Sequence, residues 1–300
     1  WQPQNIVFCG MGGSAIGGDI VRYFAENQLK PTFSIVRNYY LPDFTNKNSL
    51  VIVCSYSGNT EETISCFNEA LKKKAKILVI SSGGQLESLA QKHQVPFFLL
   101  KYKSQCGQPR VNSAAMITAI LGLLEKIKLI KVPQSEYLAT VAGLKKYRQK
   151  WNPSKTNTKE ILPLQIARII KSKIPVIHGT GFTTPVAFRW KQDLNENGKH
   201  LAFWEVSPEC NHNAVVGYKY PEPILKNLCF LALHSSFDYP RNKKRWTILK
   251  TIWQKNKTDF IEIEALGKTR MEQLFYLILL SMYTSFYLAL LQKIDPTPVE

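Results

Sequence analysis

The chain has 300 residues, 45% of them hydrophobic and 20% charged, and carries a formal charge of +17. This length gives one large α/β domain or two of ordinary size, and the composition excludes a disordered or fibrous chain. The basic excess raises nucleic acid as a partner, but the cations are dispersed over 72–74, 145–150, 171–173 and 241–245 with no binding motif or aromatic stacking signature. We therefore expect solvated helix faces and turns, and a field that attracts a small dianion.

Residues 5–9 (NIVFC) read as a strand, followed by a Gly-rich turn and a helix to about Asn27. Further strands are expected at 32–37, 49–54, 76–81 and 96–99, with helices at 60–73 and 112–126 and a short one after 81. Strands alternating with helices specify a parallel sheet covered on both faces. The polar run 151–159 (WNPSKTNTK) reads as the linker, placing domains at 1–152 and 153–300. The second half repeats the plan: a strand at 174–178, a Gly-Thr-Gly turn, a helix at 185–196, then strands at 201–206, 228–234 and 260–263. The fold class is α/β, with two related subdomains.

The segment 274–292 contains no charged residue and approaches the length of a membrane span. Ser281, Thr284 and Ser285 in its middle, and its single occurrence, favour a helix buried in a soluble core. The cysteines at 9, 54, 66, 106, 210 and 229 form no metal or disulfide spacing, and Cys9, Cys54 and Cys229 sit in apolar runs as small hydrophobes. That usage fits a reducing cytosol. No signal peptide is legible, and because Trp1 stands so close to a core strand we expect a native segment before it.

Two turns have the chemistry to hold an anion. Gly10-Met11-Gly12-Gly13-Ser14-Ala15 follows a strand and opens a helix, matching the dinucleotide fingerprint. That fingerprint expects an acidic residue after the second strand, where this chain has Arg37. Ser55-Tyr56-Ser57-Gly58-Asn59-Thr60 is more specific. Backbone N–H groups at a helix N-terminus carry partial positive charge, Ser55, Ser57 and Thr60 add hydroxyl donors, and Gly58 permits close approach. The competing reading is a turn whose Thr60 caps the helix.

Proton-transfer groups are expected in the second half. Glu196 lies where a helix ends at Gly198, a place for a partly desolvated base, although from this segment alone an ordinary surface Glu near a C-cap is the stronger reading. His212 lies in Pro208-Glu209-Cys210-Asn211-His212-Asn213, flanked by amides able to fix its tautomer. His178 and His234 end strands, while His93 and His200 read as peripheral.

Taken together, GMGGSAIGGD (10–19), SYSGNTEET (55–63), GQPR (107–110), NENGK (195–199), PECNHN (208–213) and DPTPV (295–299) resemble the bifunctional phosphoglucose/phosphomannose isomerases, a branch of the phosphoglucose isomerase superfamily. The resemblance spans essentially the whole chain. It implies two sugar-isomerase (SIS) subdomains, each a mainly parallel sheet flanked by helices, and a metal-independent reaction joining glucose and mannose 6-phosphates to fructose 6-phosphate through an enediol. By motif, Ser55, Ser57 and Thr60 would hold the phosphate, and Gly12, Gly13 and Ser14 would line the sugar site. Arg110 would stabilise the enediolate, and Glu196 would move the proton between C1 and C2. His212 and Lys293 would open the ring, and Thr284 would lie near C2. The resemblance further implies a cytoplasmic homodimer with His212 donated across the interface, no cofactor, and neither nucleic acid nor membrane as a partner. A non-catalytic sugar-phosphate sensor and an NADP-linked reductase using Gly10 to Ala15 and Arg37 are the alternatives.

Overall fold

The computed structural model describes residues 1–101 and 108–298, in two compact units, Trp1–Lys131 and Val132–Glu300. Unit 1 runs β1 (Asn5–Cys9), α1 (Gly12–Phe24), β2 (Thr32–Val36), β3 (Ser49–Cys54), α2 (Glu61–Lys72), β4 (Lys76–Ser81), α3 (Gln85–Lys92), β5 (Phe97–Leu99) and α4 (Ser113–Lys126). A 3₁₀ turn, Pro109–Asn112, leads into α4. The sheet is parallel in the order β2-β1-β3-β4-β5, with Cys9 in register with both Val36 and Val53.

The central strands β1 and β3 are apolar after their first residues, Asn5 and Ser49, because both sheet faces are covered. On one face Val7, Val51, Val53 and Val79 pack with Phe67 and Ala70 of α2 and Leu86 of α3. On the other, α1 lies so close to β1 that a Cβ on Gly18 would sit 2.5 Å from the Phe8 ring. Each such buried side chain stabilises the unit by about 1.5–3 kcal/mol.

Unit 2 contains α5 (Gln134–Lys150), α6 (Leu162–Ile170), β6 (Ile174–Thr180), α7 (Thr184–Glu196), β7 (Phe203–Ser207), α8 (Ala214–Gly217), α9 (Glu222–Leu225), β8 (Leu228–His234), α10 (Pro240–Lys255), β9 (Asp259–Glu264) and α11 (Arg270–Gln292). Its parallel sheet has the order β7-β6-β8-β9. Helix α11 starts in a capping box, Thr269 with Glu272, and ends at Lys293 in the left-handed conformation. By length and composition it could cross a membrane, yet most of its apolar surface is buried inside unit 2, where it packs with α5, α6 and α7.

The strands and main helices fall where the sequence places them, within a few residues. The domain boundary does not. The units divide between Lys131 and Val132 instead of at 152/153, because α5 belongs to the second unit. Tyr147 of α5 meets Tyr276 of α11 edge-on at 4.7 Å. Trp151, read as the start of a linker, is only 2% exposed, and its carbonyl accepts a 2.6 Å hydrogen bond from Tyr287. Cys9, Cys54 and Cys229 are fully buried, as small hydrophobes in strands. Cys106, Gly107 and Val299 lie outside the described residues.

Candidate active site

In unit 1 the chain reverses its direction of growth across the sheet between β1 and β3, and the crevice above such a point is where open α/β sheets bind ligands. Both turns singled out in the sequence lie there, one after β1 and one after β3. They are tied together, since the Tyr56 N–H donates to Ser14 Oγ at 3.2 Å. Gly12 takes a positive φ of 47°, with open space where a side chain would stand, while Gly13 remains half-buried beside it. Ser14 is buried.

The loop hydroxyls converge. Ser55 Oγ lies 2.8 Å from Thr60 Oγ1 and 3.5 Å from Ser57 Oγ. The Gly58 N–H donates to Ser55 Oγ at 3.1 Å and the Asn59 N–H to Ser57 Oγ at 3.3 Å. Thr60 is the N-cap residue of α2, but its hydroxyl makes no capping bond and turns toward Ser55 instead. The capping reading of Thr60 therefore fails. These hydroxyls and N–H groups form a cradle that can re-aim at an anion beside the positive end of a 12-residue helix.

The loop after β4 supports the cradle, a role the sequence reading missed. Gly58 has a φ of 73°, and a Cβ there would sit 1.8 Å from the Gly83 carbonyl oxygen. Asn59 Oδ1 accepts from the Gln85 N–H at 3.0 Å, and Ser82 donates to the Tyr56 carbonyl at 2.6 Å. The run Ser81-Ser82-Gly83-Gly84 after an apolar strand was the available signal. Arg110 is 5% exposed in the 3₁₀ turn before α4, and its guanidinium donates to Gln108 at 2.6 Å. Asn112 of the same turn donates to the Tyr56 hydroxyl at 2.7 Å, linking this turn to the cradle loop. Arg37 forms an ion pair with Asp19, whose carboxyl is pushed up by burial and pulled back by that arginine. The cation invoked for a phosphorylated ribose already has a carboxylate beside it.

In unit 2, Glu196 is the last, half-buried residue of α7. The helix ends just before Gly198, but that glycine is not in the left-handed conformation. Lys199 takes the positive φ, 49°, whereas Gly198 is required by close approach: a Cβ there would meet the Leu194 carbonyl oxygen at 2.7 Å. Two side-chain pairs between the end of α7 and α11 share an offset of 88. Ser281 donates to Asp193 at 2.8 Å, and Asn197 donates to Ser285 at 3.1 Å. The same offset aligns Glu196 with Thr284, which is fully buried and whose hydroxyl has no hydrogen-bond partner among the described residues. Lys293 is exposed at the end of α11, where Gln292 donates to the Gly198 carbonyl at 2.7 Å. The structure thus brings the ends of α7 and α11 together.

His212 is exposed after the 3₁₀ turn Glu209–Asn211, and no hydrogen bond among the described residues joins it to Glu196, Thr284 or Lys293. The neighbouring amides do not fix its ring as expected. Asn213 donates to Glu209 at 2.8 Å and accepts from the Ala214 N–H, capping α8. Below this loop, His178 is buried against Tyr218, Phe230 and Trp253, and burial lowers its pKa to about 3. His200 is half-buried, with Nε2 2.6 Å from the Lys173 carbonyl, and is less peripheral than its sequence context implied.

Residues 160–300 match the family described as the bacterial phospho-glucose isomerase C-terminal SIS domain. The chain is 36% identical to the bifunctional phosphoglucose/phosphomannose isomerase of Caldicellulosiruptor bescii, across 99% of this chain and 87% of that protein. It is 35% identical to the protein of the same name from Aquifex aeolicus, across 99% and 88%. Its fold is similar to that of glucosamine-6-phosphate deaminase from Thermotoga maritima, with a TM-score of 0.72 at 14% identity over 99% of this chain and 88% of that one. Near full-length identity of this degree, together with the hydroxyl cradle, assigns the chain to the bifunctional phosphoglucose/phosphomannose isomerase family.

Proposed function

We propose that this protein is an aldose–ketose isomerase that interconverts glucose 6-phosphate and mannose 6-phosphate with fructose 6-phosphate, without a metal. The observation that carries this reading is the convergence of Ser55, Ser57 and Thr60 hydroxyls at the head of α2, a cradle for a phosphomonoester with no lysine in it. In the proposed reaction His212 and Lys293 move the protons that open the sugar ring. Glu196 removes the C2 proton of the aldose, the C1–C2 enediol forms, and the proton returns to C1 as the C2 hydroxyl becomes the ketone carbonyl. The guanidinium of Arg110 offsets the charge of the enediolate, which is the task a metal performs in other isomerases. Gly12, Gly13 and Ser14 line the sugar. Thr284, aligned with Glu196, leaves room for the enediol to present either face, so both C2 epimers are substrates.

We further assign the protein to the cytoplasm and to a homodimer that exchanges His212 between subunits. The exposed position of His212, with no tie to Glu196 among the described residues, supports a role outside its own chain. The sensor reading accounts for the cradle but gives no role to a glutamate aligned with a buried, unpartnered threonine. The test is purified protein with fructose 6-phosphate in EDTA. Both glucose and mannose 6-phosphates are expected to accumulate, and the absence of both sinks the proposal. Gel filtration with light scattering tests the dimer.

A further inference from the structure

The contact between α7 and α11 is more polar than its apolar surroundings require. Trp190 Nε1 donates to the Leu277 carbonyl at 3.0 Å, Ser281 donates to Asp193, Asn197 donates to Ser285, and Gln292 donates to the Gly198 carbonyl. Arg189 and Asp193, each 1% exposed, form a 2.7 Å ion pair one turn apart on α7. The main-chain carbonyl of Asp193 also accepts from the Asn197 N–H at 2.9 Å and the Gly198 N–H at 3.3 Å, so Asp193 anchors the turn that holds Glu196.

A buried ion pair is weak as a source of stability, since apolar residues of similar volume do as well or better. It fixes register only through the bond that leaves α7, from Ser281 of α11 to the Asp193 carboxylate. Helix α11 is apolar on nearly every side, and apolar contacts alone tolerate a rotated or shifted partner. A shift of one turn here would break the hydrogen bonds of Ser281 to Asp193 and of Asn197 to Ser285, and would carry the buried Arg189–Asp193 pair, intact within α7, away from the serine that completes it. We infer that Asp193, held in place by Arg189 on its own helix, and Ser281 of α11 are positioning residues that lock the register of α7 on α11 and so hold Glu196 level with Thr284. The inference rests on the reading of Glu196 as the proton-transfer base.

The experiment replaces the polar set with apolar residues, Arg189→Met with Asp193→Leu and Ser281→Ala, in the full-length enzyme. The expected product is folded, with a Tm no lower than wild type. Its kcat falls about tenfold to a hundredfold, because sub-ångström placement of a base governs that step, while KM for fructose 6-phosphate stays within twofold. A folded triple variant with wild-type kcat overturns the inference, and so does an equal loss in kcat and in substrate affinity. If the triple variant does not fold, Ser281→Ala alone keeps the ion pair and must still lower kcat without raising KM. Unchanged kcat in that variant equally overturns it. Adding Glu196→Gln separates the two claims. If Glu196→Gln alone retains full turnover, the base assignment fails. If the base assignment stands, the apolar set must slow the Glu196→Gln enzyme no further, and an additive loss overturns the register role.

Discussion

The two units hold their polar groups in opposite ways. In unit 1 the cradle hydroxyls bond to one another and to backbone N–H groups, and Ser57 remains exposed. Rigidity comes from outside the cradle, where the β4–α3 loop presses on Gly58 and Asn59. In unit 2 the side chains around the end of α7 are committed to fixed partners, one of them an ion pair away from water. An anion anchor must exchange its contacts for ligand contacts at small cost, whereas a base moving a proton between two carbons must keep its place. Substitutions in the cradle should therefore act on KM and those around Glu196 on kcat.

The largest effect expected is from Glu196→Gln. Removing a general base lowers kcat about a hundredfold to ten-thousandfold, while KM and the binding of a sugar phosphate change little because the cradle lies elsewhere in the chain. Steady-state kinetics checks both numbers, and retained turnover removes Glu196 from the chemistry.

Gly58→Ala probes the anchor at its tightest point. A Cβ at 1.8 Å from the Gly83 carbonyl, on a residue with φ of 73°, forces the two loops apart. Hydroxyls and N–H groups can then no longer converge. With two charge-assisted hydrogen bonds each weakened by about 1.5 kcal/mol, kcat/KM should fall about a hundredfold, mainly through KM. A normal KM in this variant would show that the loop does not grip the phosphate.

Thr60→Val is the milder form of the same experiment. It keeps the branched shape and removes only the hydroxyl that faces Ser55 at 2.8 Å. Because that hydroxyl does not cap α2, helix stability should be unchanged. One lost hydrogen bond to a phosphate is worth about 1.5 kcal/mol at the lower end for a charged partner, so KM should rise about tenfold. A drop in Tm without a change in KM would return Thr60 to the role of a cap.

The cradle was legible in sequence because its residues are contiguous and their chemistry is local: a strand, hydroxyls around a glycine, then a helix. The parallel sheets were legible for the same reason, since continuous apolar runs such as 49–54 admit few other readings. The register lock was not, because it depends on partners 88 positions apart, and Arg189 with Asp193 at i,i+4 reads as an ordinary surface pair. The domain boundary failed on Trp151, whose polar neighbours suggested a linker although its ring packs with Tyr147, Tyr276 and Tyr283. Gly198 was legible as the end of a helix, but its close approach to the Leu194 carbonyl was not, since that depends on the folded turn.

The smallest effect tests whether the core of unit 2 depends on pH in a way the cradle does not. Burial depresses the pKa of His178 from 6.5 to about 3, so the folded protein keeps this ring neutral where the unfolded chain protonates it. Between those values the unfolded state binds more protons, and stability must rise with pH. His178 thus favours the folded state fully above 6.5 and loses about 1.4 kcal/mol per pH unit as the pH falls below it. Asp238 works in the opposite sense, because burial raises its carboxyl from 3.8 to about 6. There the folded state binds the extra proton, and stability falls as pH rises through that window. The two slopes oppose each other from about pH 4 to 6, so the wild-type profile alone conceals both. His178→Phe removes one of them. In urea unfolding at pH 7.0, 6.0 and 5.0, the stability of the variant relative to wild type should improve by about 1.4 kcal/mol per unit of acidification below pH 6.5. A constant difference would mean that His178 is protonated in the folded protein, which its aromatic enclosure opposes.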